Sequence, residues 1–177
     1  MKKQNHDAVS PVVGVMLMLV VTIIIAAVVS AYAGGLSSGK DKSPQLQIRA
    51  SYSQSEGIKI EHMGGDAIST TQTVVMVRPS GTFGAAMHQI SVVNKTTITD
   101  SSGTAWVKAE GLSGVKSFKA GDTNYIRPPY HLPQFLEPGA SATYWFNRTS
   151  NLGNTFYLEF ADKGGQVFAK TEVIISP

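Results

Sequence analysis

A single long apolar helix leading into an all-β domain, either a sandwich or a small barrel, is the fold class that this sequence predicts. Three observations predict it. Residues 8–39, AVSPVVGVMLMLVVTIIIAAVVSAYAGGLSSG, contain no charged residue. The stretch that follows, about 130 residues and thus the size of one domain, alternates apolar and polar positions in short runs separated by glycine-bearing turns. The chain has no cysteine, so this domain is expected to fold on its core alone, with no disulfide and no thiolate metal site.

The apolar run comes first. From Pro11 to Ala33 it would extend about 35 Å as an α-helix at roughly 1.5 Å per residue, enough to cross a hydrocarbon core of roughly 30 Å. A cleaved secretory signal has an apolar core of only about 7 to 15 residues, so this segment is expected to stay on the chain. Thr22 and Ser30 are its only clearly polar side chains between Val12 and Ala31, and no face is left for water. Its partner is therefore lipid or other copies of the same helix. In lipid the backbone has nothing else to bond, which makes helix nearly obligatory despite the many β-branched residues. Pro11 suits the first turn, Ser10 is a candidate N-cap, and Gly34 with Gly35 supplies a C-terminal stop. Gly14, Ala26 and Ala27 are small enough for close helix contact without forming a GxxxG motif. Lys2 and Lys3 favour a cytoplasmic N-terminus, although Lys40 and Lys42 on the other side weaken that signal.

The leader and the start of the helix, DAVSPVVGVMLMLVVTIIIAAVVSA, resemble the N-terminal signature of archaeal type IV pilins, in which a VSPVIGV-like start opens an uninterrupted apolar helix. The resemblance implies a class III signal peptide. Residues 1–8 would be the leader, charged by Lys2 and Lys3. Asp7-Ala8 would be the cleavage pair for a membrane prepilin peptidase, and the mature chain would start at Val9, with a cut before Ala8 as the other register. Residues 9–34, with Pro11, Gly14 and Thr22 as marker positions, would be the transmembrane and assembly helix. Residues 35–44 would be a Gly/Ser/Lys-rich linker, and 45–177 the extracellular domain of a pilin-like lollipop. A second, weaker similarity lies in GIKIEHMGGDAI, residues 57–68, which looks like the first hairpin of the family's outer domain. Bacterial type IV pilins usually carry a glutamate at the fifth mature position, where this chain has Val13; the archaeal type commonly lacks it. The Gly-Leu-Glu-type start of archaellins has no counterpart here.

Physical logic agrees with a retained helix freed by processing. Lys2 and Lys3 would be costly to draw through hydrocarbon, and removing the leader removes that barrier. The freed helix can then bury its side chains against copies of itself, each worth about 1.5 to 3 kcal/mol. A permanent single-pass anchor is the alternative that hydropathy alone allows.

In the second domain the expected strands are 46–53, 58–62, 73–79, 88–94, 105–107, 142–146, 156–160 and 167–175. Leu46, Ile48, Ala50 and Tyr52 should face one way, as should Phe156, Leu158 and Phe160. Turns are expected at Ser55-Glu56-Gly57, Gly64-Gly65-Asp66, Pro138-Gly139 and Asp162-Lys163-Gly164-Gly165. Residues 114–134, with Pro128, Pro129 and Pro133, read as a long irregular loop, and no helix is expected after residue 40.

Candidate chemistry is sparse. His6, His62, His88 and His131 are not paired at ligand spacing. Asp66 lacks the Asp-rich loop that calcium uses and reads as a turn residue. No serine sits in a G-x-S-x-G elbow, and no phosphate-binding loop occurs, so any assembly ATPase is a separate protein. The net charge of +3 is scattered, which leaves nucleic-acid binding without support. Trp106, Tyr144, Trp145 and Tyr157 default to core or rim. Two sequons, Asn94-Lys95-Thr96 and Asn147-Arg148-Thr149, fall at expected strand ends and are candidate N-glycosylation sites; surface pilins of the resembled family are often N-glycosylated. The expected role is structural, with no cofactor and no metal. It is that of a precursor subunit of a surface filament used in adhesion to surfaces or cells. Its expected partners are copies of itself or related pilins, the prepilin peptidase, an assembly ATPase, a membrane platform protein and membrane lipid before assembly. The alternative is a membrane-anchored β-domain that binds a sugar or an envelope component, and an anchored enzyme ranks below both.

Overall fold

The computed structural model describes residues 9–36, 42–108, 114–132, 135–137 and 146–177. The chain divides into two compact units, residues 1–42 and 43–177, each with its own internal contacts.

The first unit contains helix α1, Val9–Leu36. Pro11 sits in its first turn, where a missing N–H costs nothing. The helix continues through Gly34 and Gly35 to Leu36, two residues past the expected stop, since glycine lowers helix propensity by about 1 kcal/mol without removing a hydrogen-bond donor. Its polar interruption is satisfied internally: Thr22 Oγ1 donates to the Leu19 carbonyl at 2.9 Å. None of the large apolar side chains from Val12 to Tyr32 is buried. Within a single chain they stay open, from 44% exposure at Val21 to 76% at Tyr32.

Among its described residues the second unit contains ten strands: β1 Leu46–Ser53, β2 Gly57–Gly65, β3 Ile68–Ser69, β4 Val74–Pro79, β5 Ser91–Val92, β6 Thr99–Asp100, β7 Ser117–Phe118, β8 Thr123–Ile126, β9 Thr155–Ala161 and β10 Val167–Ser176. Eight of them form one sheet in the order β5-β4-β9-β10-β1-β2-β8-β6, and β3 pairs with β7. Neighbours are antiparallel except β1 and β10, which run parallel with Tyr52 opposite Ile175. The expected alternation holds in β1, where Ile48 and Tyr52 are buried, and at the start of β9; Phe156, Leu158 and Phe160 are buried as expected, but Glu159 and Ala161 are buried too. One continuous cluster gathers these inward faces, so the sheet curls around a single core. Past β6 the main chain carries the pairing on: Trp106 N–H donates to Ile98, Val115 N–H to Ala105, and Thr70 N–H to Lys116. Those bonds bring the curl round to β3, which leads directly into β4. The all-β expectation is met by this curled sheet, whose strand order remains open among the described residues.

Two hairpins fix the register. In β1–β2, Ser53 pairs with Gly57, and the Ser53 hydroxyl accepts the N–H groups of Ser55 and Glu56 at 3.1 and 3.2 Å. Gly57 has φ +101°, and a Cβ there would lie 2.1 Å from the Ile126 carbonyl oxygen, so the turn requires glycine on both counts. In β9–β10, Asp162 Oδ1 accepts the Gln166 N–H at 2.9 Å across the expected Gly164-Gly165 turn.

The core is aromatic. Phe146 and Phe156 lie 4.6 Å apart between ring centroids, Tyr52 meets Phe156 edge-on at 5.8 Å, and Trp106 packs on Phe118 at 5.6 Å. Burial pushes the Tyr52 phenol up to about 12.

Several expected elements differ from the structure. The loop expected over 114–134 contains β7 and β8. Thr123–Ile126 alternates half-buried and buried residues and pairs with β2 on one side and β6 on the other. The prolines that suggested a loop begin only after this strand ends. The strand expected over 88–94 is reduced to Ser91–Val92, preceded by 3-10 turns over Gly81–His88. Val93 instead bridges Leu136, and Asn94 begins a turn. The strand expected over 105–107 is reduced to isolated bridge positions at Ala105, which pairs with Thr99, and at Val107. Residues 138–145 lie outside the described residues, and with them Tyr144, Trp145, the Pro138-Gly139 turn and most of the strand expected over 142–146.

Candidate functional site

The largest unexplained feature is α1 itself. Fifteen large apolar side chains between Val12 and Tyr32 are exposed, and the 23 residues Pro11–Ala33 are long and apolar enough to cross a membrane. The expected marker positions fall on one side. At about 100° per residue, Thr22 lies about 20° and Gly14 about 60° around the helix from Pro11. Ala26 and Ala33 fall within the same sector, but so do Val15, Met18, Ile25 and Val29, so the small residues do not make a separate face. A Cβ added at Gly14 would meet nothing within 4 Å, so the fold of one chain does not explain that glycine. Val9 is the first residue of the helix. Asp7 and Ala8, the remainder of the expected cleavage site, lie outside the described residues.

The β-domain separates the other candidates. His62 is buried, donates through Nε2 to the Asp66 carbonyl at 3.0 Å, and packs edge-on against Phe118. His131 is buried with Nε2 2.8 Å from the Gln54 carbonyl. Asp66 Oδ2 accepts the Gln45 N–H at 3.0 Å, which closes its turn. Each of these groups therefore organises a loop. The two sequons differ sharply. Asn94 is half-buried and hydrogen-bonded, whereas Asn147 is exposed.

Two arrangements escaped sequence reasoning. Glu159 is 3% exposed although its neighbours Leu158 and Phe160 are also buried. Arg78 and Lys170, on the flanking strands β4 and β10, each reach its carboxylate at 3.3 Å, and the Lys170 ammonium also lies 3.7 Å from the centroid of the Tyr157 ring. The second arrangement is at Lys95, whose ammonium donates to the carbonyls of Thr70, Thr71 and Thr73 at 3.1 to 3.2 Å. Burial pulls its pKa below the ordinary lysine value; Lys163 adds to that effect and Glu137 opposes it. Both depend on pairings between distant segments. The only local signal was a glutamate between two core residues.

An open groove of about 630 Å³ runs beside the β1–β2 turn and β8, lined by Ser51, Ser55, Lys59, Tyr125 and Arg127 among others. The Arg127 guanidinium covers one face of Tyr125 at 4.2 Å from the ring centroid.

Comparison with known proteins bears first on the helix and the start of β1. Residues 7–48 match the family described as archaeal type IV pilin, N-terminal. The chain is also 39% identical over 79 residues to an uncharacterized protein of Archaeoglobus fulgidus, a similarity that covers 43% of this chain and 55% of that protein. The chain thus spans about half the length of the relative it matches.

Proposed function

We propose that this chain, whose residues 7–48 belong to the archaeal type IV pilin N-terminal family, is the precursor of a structural subunit of a surface filament. The observation that carries the reading is α1: a helix that is apolar on every face and open along its length needs lipid first and other helices afterwards. In the membrane the helix spans the bilayer with its N-terminus cytoplasmic. A prepilin peptidase removes residues 1–8, and with them the cost of drawing Lys2 and Lys3 through hydrocarbon. The mature helix then leaves the bilayer and packs against its copies or against related pilins. Gly14, Thr22 and Ala26 each allow a close approach of backbones at their own level of the helix. A separate ATPase and a membrane platform protein supply the work. The β-domain is displayed outside, where it serves adhesion. The role is structural rather than catalytic.

Intact mass and N-terminal sequencing of the protein from membrane and sheared-surface fractions test this reading. A chain that begins at Val9 or Ala8 in the sheared fraction is the expected result. A chain that keeps Met1 or Lys2 and stays with the membrane refutes filament assembly. The groove beside Tyr125 favours a second reading in that case, an anchored domain that binds a sugar or an envelope component. A saturable ligand for the purified protein, without filaments on the cells, would support it.

A further inference from the structure

We infer that the fold itself selects between the two sequons: Asn147 is the glycan acceptor, and Asn94 is withheld, with the Lys95 ammonium as the lock. This rests on the reading that places residues 45–177 outside the membrane.

An N-glycosyl transfer joins the Asn Nδ2 to C1 of an activated glycosyl phosphate. The C1–O bond to phosphate breaks, the phosphate leaves with the electron pair, and one amide proton is lost to a base. For this the sequon must leave its own domain far enough to enter an enzyme cleft, so its backbone must be free of other obligations. The segment around Asn94 is bound on every side. The Asn94 N–H donates to Phe135 at 2.7 Å, and the preceding Val93 N–H donates to Val75 at 2.8 Å. The Asn94 carbonyl accepts both the N–H and the hydroxyl of Thr97, at 3.0 and 2.7 Å. The Asn94 Oδ1 accepts the N–H and the hydroxyl of Thr96, so the sequon's own threonine is engaged. Lys95, the middle residue, closes the set by donating to three carbonyls of the 70–73 turn. Presenting Asn94 means breaking these bonds together, and three carbonyls would lose the charge they were folded around.

Asn147 stands in the opposite situation. Gln54 Nε2 donates to the carbonyls of Phe146 and Arg148 at 2.7 and 3.1 Å, and the Asn151 N–H donates to the Arg148 carbonyl at 3.0 Å, so the residues on either side are held while Asn147 itself is not. Phe146 is buried against Phe156, while Asn147, Arg148 and Thr149 are all exposed. The Asn147 side chain makes no hydrogen bond to the described residues. The turn thus presents an exposed Asn147 on an anchored base.

Glycopeptide mass spectrometry of the full chain, expressed in an archaeal host that N-glycosylates its surface proteins, tests the inference. The variants are Asn94→Gln, Asn147→Gln and Lys95→Gln, and protease accessibility on intact cells is measured in parallel. The expected result is a glycan on the Asn147 peptide and an Asn94 peptide of unmodified mass. Asn147→Gln then abolishes modification, Asn94→Gln leaves it unchanged, and Lys95→Gln, checked to be folded by its thermal transition, gains a second glycan at Asn94. Occupancy of Asn94 in the unaltered chain, or an unmodified Asn147 in a protease-accessible chain, overturns the selection. A folded Lys95→Gln variant with bare Asn94 overturns the role of the lock. A β-domain that is inaccessible to protease on intact cells refutes the surface reading instead.

Discussion

Thr22→Lys puts the apolar helix under the most direct strain. Thr22 is the midpoint of the 23-residue span Pro11–Ala33, about 16 Å along the axis from either end at roughly 1.5 Å per residue. A lysine stem reaches well short of that distance, so the ammonium cannot escape by snorkelling and remains near the centre of the apolar region. The cost there is about 2.5 to 3.5 kcal/mol per helix on insertion scales. If a filament core is as apolar as the helix surface that builds it, every added subunit incurs a comparable cost. At about 1.4 kcal/mol per tenfold change in equilibrium, 3 kcal/mol corresponds to roughly a hundredfold weaker addition. The assay compares sheared-surface and membrane fractions by immunoblot and counts filaments by electron microscopy. Thr22→Lys should remove the protein from the sheared fraction while the β-domain keeps its thermal transition. Thr22→Val is the control. Its hydroxyl bonds only the helix's own Leu19 carbonyl, so filaments should persist. Filaments at normal yield from the lysine variant would refute burial of this position in an apolar core.

Further predictions concern the β-domain. Gly57→Ala forces a side chain into a φ of +101° and places Cβ 2.1 Å from the Ile126 oxygen; a loss of about 1 to 3 kcal/mol is expected in denaturant unfolding, and an unchanged midpoint would contradict the geometry. Glu159→Gln leaves Arg78 and Lys170 without their shared carboxylate. Both cations can turn partly to water, so the expected cost is about 1 to 3 kcal/mol, below that of a fully buried pair, and an equal or higher unfolding midpoint would show that the triad contributes nothing. Phe156→Ala should cost about 3 to 5 kcal/mol, because the ring it removes is fully buried against Phe146 and Tyr52; a smaller loss would mean that the core collapses into the space. The Ser102 hydroxyl, more than the surrounding N–H groups, holds the Asp100 carboxyl below its usual range. Its contribution is therefore present above the unfolded carboxyl pKa and lost as pH falls through the lower folded value. Asp100→Asn should flatten the loss of stability below about pH 4 by less than about 1 kcal/mol, the group being largely exposed, and identical acid profiles would exclude the linkage.

What was legible in the sequence follows from the range of the forces involved. The helix needed only an uncharged run of residues 8–39, because chain length and hydropathy are local properties. Strands β1 and β9 were legible because each alternates over at least six residues, and β10 because its β-branched residues follow a glycine-bearing turn. The four-residue β8 was hidden, since so short a run becomes a strand only when β2 and β6 supply its hydrogen bonds. The same limit applies to the candidate sites. Both sequons read alike as three letters, and both lie near strand ends.

The sequence by itself determined that this chain carries an apolar helix with no solvent-facing side, a β-rich domain without disulfides, and two possible acceptor asparagines. Composition and period carry that information without reference to distant residues. Only the tertiary structure decided that Lys95 caps a turn more than twenty residues away, that Glu159 is shared by cations from two flanking strands, and that Asn94 is tied down where Asn147 is free. Hydrogen bonds and ion pairs act over about 3 Å, so which groups meet is settled by the curl of the sheet that brings remote segments together.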